Sequence, residues 1–168
     1  YQDPKAAARP AQLFFLFQRA QQVQALRQGD MFRPVRVADF LIEKDKLFAH
    51  LTLDDDELKL YEQAYQHLAL DAPQPDLVIY LQAPVEVLLN RISKRGHDYE
   101  RNISAAYLQR LNDSYTRFFH QYTDAPLLIV NAADLDFVNS SQDYEMLLER
   151  AKAVRSGRHF FNPQPLNL

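Results

Sequence analysis

Two short apolar runs organise the chain, LVIYLQ at residues 77–82 and LLIV at residues 127–130. Continuous apolar runs of this length are typical of parallel strands that are buried on both faces. Around them, apolar residues at helical spacing predict helices at residues 6–28, 43–51, 54–70, 85–93, 104–122 and 141–155. Residues 32–40 lean towards β structure, and we expect residues 155–168 to be irregular. The alternation of helices and strands predicts an α/β protein with a parallel sheet flanked by helices.

Local signals indicate where the helices end and which faces they bury. Gly29 is placed to close the first helix as a C′ residue. Thr52 is a candidate N-cap for the third helix, since acidic residues follow it. Phe14, Phe15 and Phe17 form an aromatic stripe that we expect in the core, although one of them could line a ligand pocket.

The composition limits the classes of function. At 168 residues the chain fits a single domain, residues 1–168, with a substantial core. Its net charge of −3 argues against a general nucleic-acid-binding surface, and we expect no membrane span. The absence of cysteine excludes disulfides and thiolate metal sites, and it fits a reducing, cytoplasmic location.

A cation cluster with a central glycine follows the first apolar run. Arg91, Lys94 and Arg95 share one side of the predicted helix, and Gly96 and His97 come directly after it. Arginine side chains at this spacing could bind the oxygens of a triphosphate in bidentate fashion. The alternative is a solvated helix end whose cations complement the helix dipole.

Acidic residues near these cations are also candidates. Asp98 and Glu100 could pair with the cluster, or one could accept a hydrogen bond from a sugar hydroxyl. Asp39 lies at the end of the β-leaning segment, and Glu43, Lys44 and Asp45 come just after it. Ligands and Mg²⁺ bind at the ends of strands in open α/β sheets. An ordinary acidic helix start is the alternative for these residues.

Gln12 and Arg19 lie seven residues apart on an otherwise apolar helix, so they share a face. A buried glutamine amide both donates and accepts hydrogen bonds, which suits the edge of a nucleobase. The alternative is a pair of polar residues at the margin of the helix.

Four segments resemble those of one known family and come in the same order along the chain. They are QLFFLFQR, DFLIEKDKLFA, YLQAPVEVLLNRISKRG and YLQRLNDSY, and the third is the most specific. Over essentially all its length the chain resembles the deoxyribonucleoside kinases, particularly the bacterial members. The resemblance implies a three-layer P-loop-kinase-like fold. It also implies transfer of a phosphoryl group from ATP, with Mg²⁺, to the 5′-hydroxyl of a deoxynucleoside. The products would be a deoxynucleoside monophosphate and ADP, and the protein would be a homodimer.

The resemblance implies a nucleoside site and a donor site. Gln12 would read the nucleobase edge with Arg19 and Asp45 as its partners, and Tyr1 with Glu100 would hold the sugar 3′-hydroxyl. Arg91 and Phe137 would sandwich the adenine of ATP. Arg95 would contact its phosphates, with His97 in the place of a second lid arginine, and Lys94 joins them from the cation cluster. Asp39 would lie near Mg²⁺ and the transferred phosphate, so the catalytic set is Asp39, Lys94 and Arg95.

The sequence departs from the family pattern in three places. Phe40 stands where better-known members have an arginine, and His97 replaces a second lid arginine. Gly29, Gly96 and Gly157 are far apart, so no glycine-rich phosphate loop is present. The family places that loop and the general base upstream of Tyr1, so we expect about 40–50 further residues in the complete protein. The alternatives are a non-catalytic nucleotide-binding or dimerisation module, and a nucleoside monophosphate kinase such as a thymidylate kinase.

Overall fold

The computed structural model describes residues 4–28, 35–69, 72–97 and 103–163. Contacts divide the chain into two compact units, Tyr1–Pro73 and Gln74–Leu168. The single-domain interpretation of residues 1–168 stays a prediction.

Unit 1 is helical, and its elements are α1 Pro4–Arg27, α2 Glu43–Thr52 and α3 Asp55–Ala69. Helix α1 packs against both α2 and α3. Their shared core contains six buried residues: Leu16, Val23, Ile42, Ala49, Tyr61 and Tyr65. The three helices predicted for this part of the sequence are therefore confirmed.

The buried face of α1 differs from the predicted one. Leu16, Ala20 and Val23 are buried, at the i, i+4, i+7 spacing of one helix face. Phe14 and Phe17 are 58% and 52% exposed, and Phe15 is 48% exposed. The expectation that the aromatic stripe belongs to the core of this unit is wrong, because Phe15 and Phe17 lie to either side of the face that meets α2 and α3, and Phe14 lies opposite it.

The start of α3 is capped by a different residue from the predicted one. Thr52 is the last residue of α2, and its Oγ1 donates to the Phe48 carbonyl at 2.7 Å. The Asp54 carboxylate instead accepts from the backbone N–H groups of Asp56 and Glu57 at 3.1 and 2.9 Å. The Glu57 carboxylate accepts from the Asp54 N–H at 3.3 Å, which completes a reciprocal capping box.

The segment before α2 is not a strand in its described part, residues 35–40. The β prediction is therefore wrong for those residues. Residues 32–34 and Gly29 lie outside the described part of the chain.

Unit 2 contains the sheet and its helices. Its elements are β1 Val78–Gln82, α4 Val85–Arg95, α5 Ala105–Gln121, β2 Leu127–Asn131, α6 Ser141–Ala153 and β3 Arg158–Phe161. The strand order is β1-β2-β3 and both pairings are parallel. This arrangement confirms the predicted parallel sheet.

Strand β3 corrects the expectation of an irregular tail. Gly157 has φ +72°, which a glycine adopts without strain. Its carbonyl accepts from the Leu127 N–H at 2.9 Å, so pairing with β2 begins at that turn. The strand depends on this long-range pairing, and its own sequence, RHFF, begins with two polar residues.

The core of unit 2 is built around β2. Leu128 and Val130 on this strand are fully buried, and Leu135 and Val154 pack with them. On β1, Ile79 and Leu81 are 40% and 48% exposed, so one face of that strand is only partly covered within the described residues. The predicted burial on both faces is therefore present in β2, whereas the described residues cover only one face of β1 well.

An aromatic stack joins β1 to α5. The rings of Tyr80 and Phe119 are stacked with centroids 4.3 Å apart, and Tyr115 stacks on Tyr80 at 6.0 Å. Helix α5 begins at the N-cap Ser104, whose hydroxyl accepts from the Tyr107 N–H at 3.1 Å. The cap and the stack together fix α5 against the sheet.

Candidate functional site

A cation and a carboxylate meet inside unit 1. Nε of Arg19, on α1, lies 4.0 Å from Oδ1 of Asp45, on α2. Asp45 is the one buried charged residue within the described part of the chain. Arg19 is held from a second side by Gln22, whose Oε1 accepts from Nη1 at 2.9 Å. The structure therefore brings together two residues that the resemblance assigned to one base pocket, and that role stays a prediction.

The pair has unused hydrogen-bonding capacity. Nε of Arg19 and Oδ2 of Asp45 are both buried, and neither makes a hydrogen bond to another described residue. Desolvation raises the pKa of Asp45, although the nearby charges of Arg19 and Lys44 act in the opposite direction. Polar atoms that are buried without partners are costly, so a bound polar ligand would be stabilised here.

The neighbourhood of the pair contains a further cation and a further acid. Lys44 is partly buried, and desolvation and the charge of Arg19 lower its pKa, whereas Asp45 and Asp39 act to raise it. Asp39 is therefore within electrostatic range of Lys44, and its side chain is exposed. Arg19 belongs to α1, Lys44 and Asp45 belong to the first turn of α2, and Asp39 lies in the segment before α2.

Phe40 is part of the same arrangement. Its ring packs against the core of unit 1, and the Arg19 guanidinium lies 4.9 Å from the ring centroid. A guanidinium over an aromatic ring is attracted by the ring quadrupole. The residue that departs from the family pattern thus supports Arg19 directly.

Gln12 lies on α1 two turns before Arg19, and its side chain is partly buried. This position agrees with the predicted sharing of a helix face.

The predicted phosphate-binding cations lie at the end of α4. Arg91, Lys94 and Arg95 are exposed, and so is His97 just after the helix. Gly96 ends the helix with φ +72°, and its N–H donates to the Ile92 carbonyl at 3.2 Å. This left-handed cap turns the chain immediately after two of the cations.

Arg91 differs from its neighbours because it reaches another loop. Its Nη2 donates to the carbonyls of Ala132, Ala133 and Leu135 at 2.7, 3.2 and 3.2 Å. These residues follow the carboxyl end of β2 and lead to Phe137. Phe137 is partly buried against the core of unit 2. The structure therefore brings Arg91 to the loop that carries Phe137.

Two predicted residues, Tyr1 and Glu100, lie outside the described part of the chain, as does Asp98. The described residues contain no group of three or more histidine or acidic side chains placed to hold a metal ion. Asp39, the predicted metal ligand, therefore does not belong to such a group among the described residues. None of the helices in the described ranges is long and apolar enough to cross a membrane.

Two buried residues near the Arg19–Asp45 pair, Tyr61 and Tyr65, were not predicted from the sequence. Tyr61 is 1% exposed and Tyr65 is 7% exposed. Burial raises the pKa of each tyrosine, and nearby negative charges raise it further, namely Asp45 for Tyr61, and Glu43 with Asp45 for Tyr65. Their spacing of four residues on α3 could have indicated that both tyrosines lie on one helix face.

A surface groove of about 340 Å³ in unit 2 lies away from these residues. It is lined by residues 122–126 and 155–158, at the amino ends of β2 and β3. Ligands of open parallel sheets bind at the carboxyl ends of the strands. The groove is therefore not the candidate site.

Comparison with known proteins agrees with this arrangement. The deoxynucleoside kinase family matches residues 1–155. The chain is 32% identical over 163 residues to the deoxyguanosine kinase of Bacillus subtilis, a match that covers 92% of this chain and 77% of that protein. It is 31% identical over 171 residues to the deoxyadenosine kinase of Dictyostelium discoideum, covering 96% and 65% respectively.

Solved structures show the same fold. The deoxyadenosine kinase from M. mycoides with bound dATP is similar with a TM-score of 0.73 and 26% identity. That match covers 91% of this chain and 78% of the other. The same enzyme with the products dCMP and a flexible dCDP has a TM-score of 0.75 at 24% identity.

These matches define a nucleoside kinase with the P-loop kinase fold. The chain belongs to the deoxynucleoside kinase family, whose members phosphorylate deoxynucleosides with ATP as the phosphate donor. The resemblance, the fold class and the activity predicted from the sequence are confirmed.

Proposed function

We propose that unit 1 of this enzyme binds the nucleobase of a purine deoxynucleoside through Gln12, Arg19 and Asp45. The observation that carries the proposal is the buried Arg19–Asp45 pair with one unused polar atom on each partner. A nucleobase edge presents donors and acceptors that such atoms can satisfy. The purine preference is supported by the two relatives above, which are deoxyguanosine and deoxyadenosine kinases.

The role of Gln12 in this proposal is to fix the orientation of the base. Its amide supplies both a donor and an acceptor, whereas Asp45 accepts only when ionised. Arg19 places its positive charge 4.0 Å from the Asp45 carboxylate, and Phe40 limits the freedom of the guanidinium. The family resemblance further assigns the sugar 3′-hydroxyl to Tyr1 and Glu100.

The phosphate donor is assigned to unit 2. Arg91 and Phe137 would bind the adenine of ATP, and Arg95, Lys94 and His97 would contact its phosphates. The exposure of these cations at the end of α4 and the turn at Gly96 support this assignment. Charge that moves onto the transferred phosphoryl group and the leaving oxygen is stabilised by cations placed there.

Mg²⁺ is expected to accompany the triphosphate. Asp39 is exposed and carries a carboxylate, which fits an ion that takes one or two protein carboxylates and completes its shell with phosphate oxygens and water. Asp39 would hold the ion, and the ion would supply charge neutralisation at the transferring phosphoryl group.

A homodimer built on α1 is the assembly we propose. Phe14, Phe15 and Phe17 expose about half of each side chain on one helix. Large exposed apolar residues that cluster in this way mark interaction surfaces. We also place the enzyme in the cytoplasm, which a chain without cysteine suits.

The nucleobase assignment is tested by replacing Gln12 in the complete protein. Gln12→Ala should raise the dissociation constant for the deoxynucleoside about tenfold and leave ATP binding unchanged. Gln63→Ala, at an exposed position on α3, is the matched control. Calorimetric titrations with ATP and with each deoxynucleoside, together with a coupled ADP-release assay, give the result. Unchanged nucleoside selectivity in Gln12→Ala would remove Gln12 from the base pocket, and binding without turnover would favour the non-catalytic module.

A further inference from the structure

One side chain of α4 holds a distant loop by its backbone. Nη2 of Arg91 donates to carbonyls that lie 41 to 44 residues further along the chain, in the segment after β2. A cation in the last turns of a helix usually interacts with the carbonyls of its own helix or with water. Arg91 instead serves the polar groups of a neighbouring connection, which we call the 132–137 loop.

The 132–137 loop is anchored at both of its ends. At its start, the Ala132 N–H donates to the Gln82 carbonyl of β1 at 2.8 Å, and the Ala133 N–H donates to Asn131 Oδ1 at 3.1 Å. Near its end, the Asp136 N–H donates to Asp143 of α6 at 2.9 Å. The carbonyls of the loop need partners too, because backbone acceptors near a core are rarely left unpaired. Three of them converge on Arg91.

The Asp136 side chain fixes the turn that follows the 132–137 loop by accepting hydrogen bonds from it. Its Oδ1 accepts from the N–H groups of Val138 and Asn139, and its Oδ2 accepts from the Asn139 amide. Hydrogen bonds from Asn139 lower the pKa of Asp136, and the positive charge of Arg91 contributes in the same direction. Phe137 thus lies between a segment fixed by Arg91 and a turn fixed by Asp136.

We propose that Arg91 is a positioning residue that fixes the 132–137 loop, and with it Phe137, and so sets the selectivity for the donor base. This inference rests on the proposed binding of the donor base by unit 2. The bonds to the carbonyls leave from the edge of the guanidinium, because its N–H groups lie in its plane. The two faces of the plane remain available for stacking, and the carbonyls fix the direction in which those faces point.

The first test measures the loop without nucleotide. In Arg91→Lys the charge is retained, but the shorter side chain ends before the position of Nη2 and has no planar face for stacking. Amide hydrogen exchange at residues 132–140 should become about tenfold faster, since bonds from a charged donor to the carbonyls are lost. Arg91→Ala should exceed this effect. The control is Arg117→Lys, an exposed α5 arginine that donates to Ser114 Oγ at 3.3 Å, and it should leave the loop unchanged.

Unchanged exchange at residues 132–140 in both Arg91 variants would overturn the proposal, because Arg91 would then act only on bound ligand. A rise in exchange throughout unit 2 would overturn it as well, because Arg91 would then be a residue of general stability. If Arg91→Ala does not fold, Arg91→Lys alone carries the comparison.

The second test measures the donor. In Arg91→Lys, KM for ATP should rise about tenfold while kcat at saturating ATP and KM for the deoxynucleoside change little. The preference for ATP over UTP should fall, since a loosened loop discriminates bases less well. A fall in kcat with an unchanged KM for ATP would contradict the positioning role. Lack of ATP turnover in the unmodified protein would refute the proposed donor site, whereas the exchange experiment would still report on the loop.

Discussion

Nε of Arg19 lies 4.0 Å from Oδ1 of Asp45, and both side chains lie at the junction of α1 and α2. The separation exceeds a hydrogen bond, so the two charges attract without being locked together. Phe40 and Gln22 hold the guanidinium from other directions. The carboxylate is thereby left with an acceptor that a ligand can use.

Removal of the carboxylate should destabilise unit 1. Near pH 4, where the raised pKa lets the folded state hold the proton of Asp45, Asp45→Ala removes a buried polar side chain beside Arg19, and we expect a loss of about 2 kcal/mol in the free energy of unfolding. The matched control is Asp56→Ala, which removes an exposed pair with Lys59 at 3.0 Å and should cost less than about 0.5 kcal/mol. Urea denaturation of both variants gives the comparison, and equal losses would contradict the buried character of the Arg19–Asp45 pair.

The stability should depend on pH through Asp45. Its folded pKa is raised above the ordinary value of 3.8, chiefly by desolvation, so the folded state binds the proton more tightly than the unfolded state. The stability that Asp45 contributes is fully present below the unfolded pKa and is lost as the pH rises through the folded pKa. Asp45→Asn cannot titrate, so relative to the unmodified protein it should be less stable near pH 4 than near pH 7. Parallel stability–pH curves for the two proteins would refute this assignment.

Gly96 should matter for stability and for the donor, and Gly157 for stability alone. Both have φ +72°, and a Cβ added at either would meet nothing within 4 Å. An alanine at either position should therefore cost about 1 kcal/mol through backbone strain alone. Gly96→Asn should cost less, because asparagine tolerates this conformation. Denaturation gives the stabilities, and steady-state kinetics should show a raised KM for ATP only in Gly96→Ala. A similar rise in Gly157→Ala would mean that the effect is not local.

The dimer proposal predicts a change in assembly. Phe17→Glu places a charge on the exposed aromatic patch of α1 and should convert the dimer to a monomer in analytical ultracentrifugation. Leu60→Glu, at a 54% exposed position on α3, is the control and should leave the assembly unchanged. A Phe17→Glu protein that remains dimeric would exclude this face of α1 as the interface.

Arg95 should act mainly on turnover. Arg95→Ala in the complete protein should lower kcat about 100-fold with a small effect on nucleoside affinity, because a cation on the moving phosphoryl group matters most in the transition state. Arg117→Ala is the matched exposed arginine of unit 2 and should be close to neutral. Equal losses in turnover and nucleoside affinity would mean that Arg95 is a structural residue.

The sequence predicted the elements with strong local signals. The LVIYLQ and LLIV runs became β1 and β2, and every predicted helix is present with small shifts at its ends. The predictions that were wrong concern features that depend on contacts between residues distant in the chain. Strand β3 exists because β2 offers it an edge, and no pattern within RHFF indicates this. Likewise, the spacing of Phe14 and Phe17 suggested burial, but the packing of α1 on α2 and α3 decided which face is inside.

The site shows the same division. The resemblance placed Arg19 and Asp45 in one base pocket, and their side chains lie 4.0 Å apart in the structure. The aromatic support from Phe40 and the buried hydroxyl of Tyr61 could not be inferred, because they depend on how α1, α2 and α3 pack. The carbonyl contacts of Arg91 were also unpredictable, since backbone acceptors leave no trace in a sequence. The predicted roles of Tyr1 and Glu100 stay predictions.

The Tyr80–Tyr115–Phe119 stack has a spectroscopic consequence. The chain has nine tyrosines and no tryptophan, so its intrinsic fluorescence comes from tyrosine alone. A tryptophan introduced at Tyr115, on the partly buried side of α5, would be the sole indole emitter in these 168 residues. Because its ring would stack against Tyr80 of β1, its emission would report the separation of α5 from the sheet in unit 2, with no contribution from unit 1.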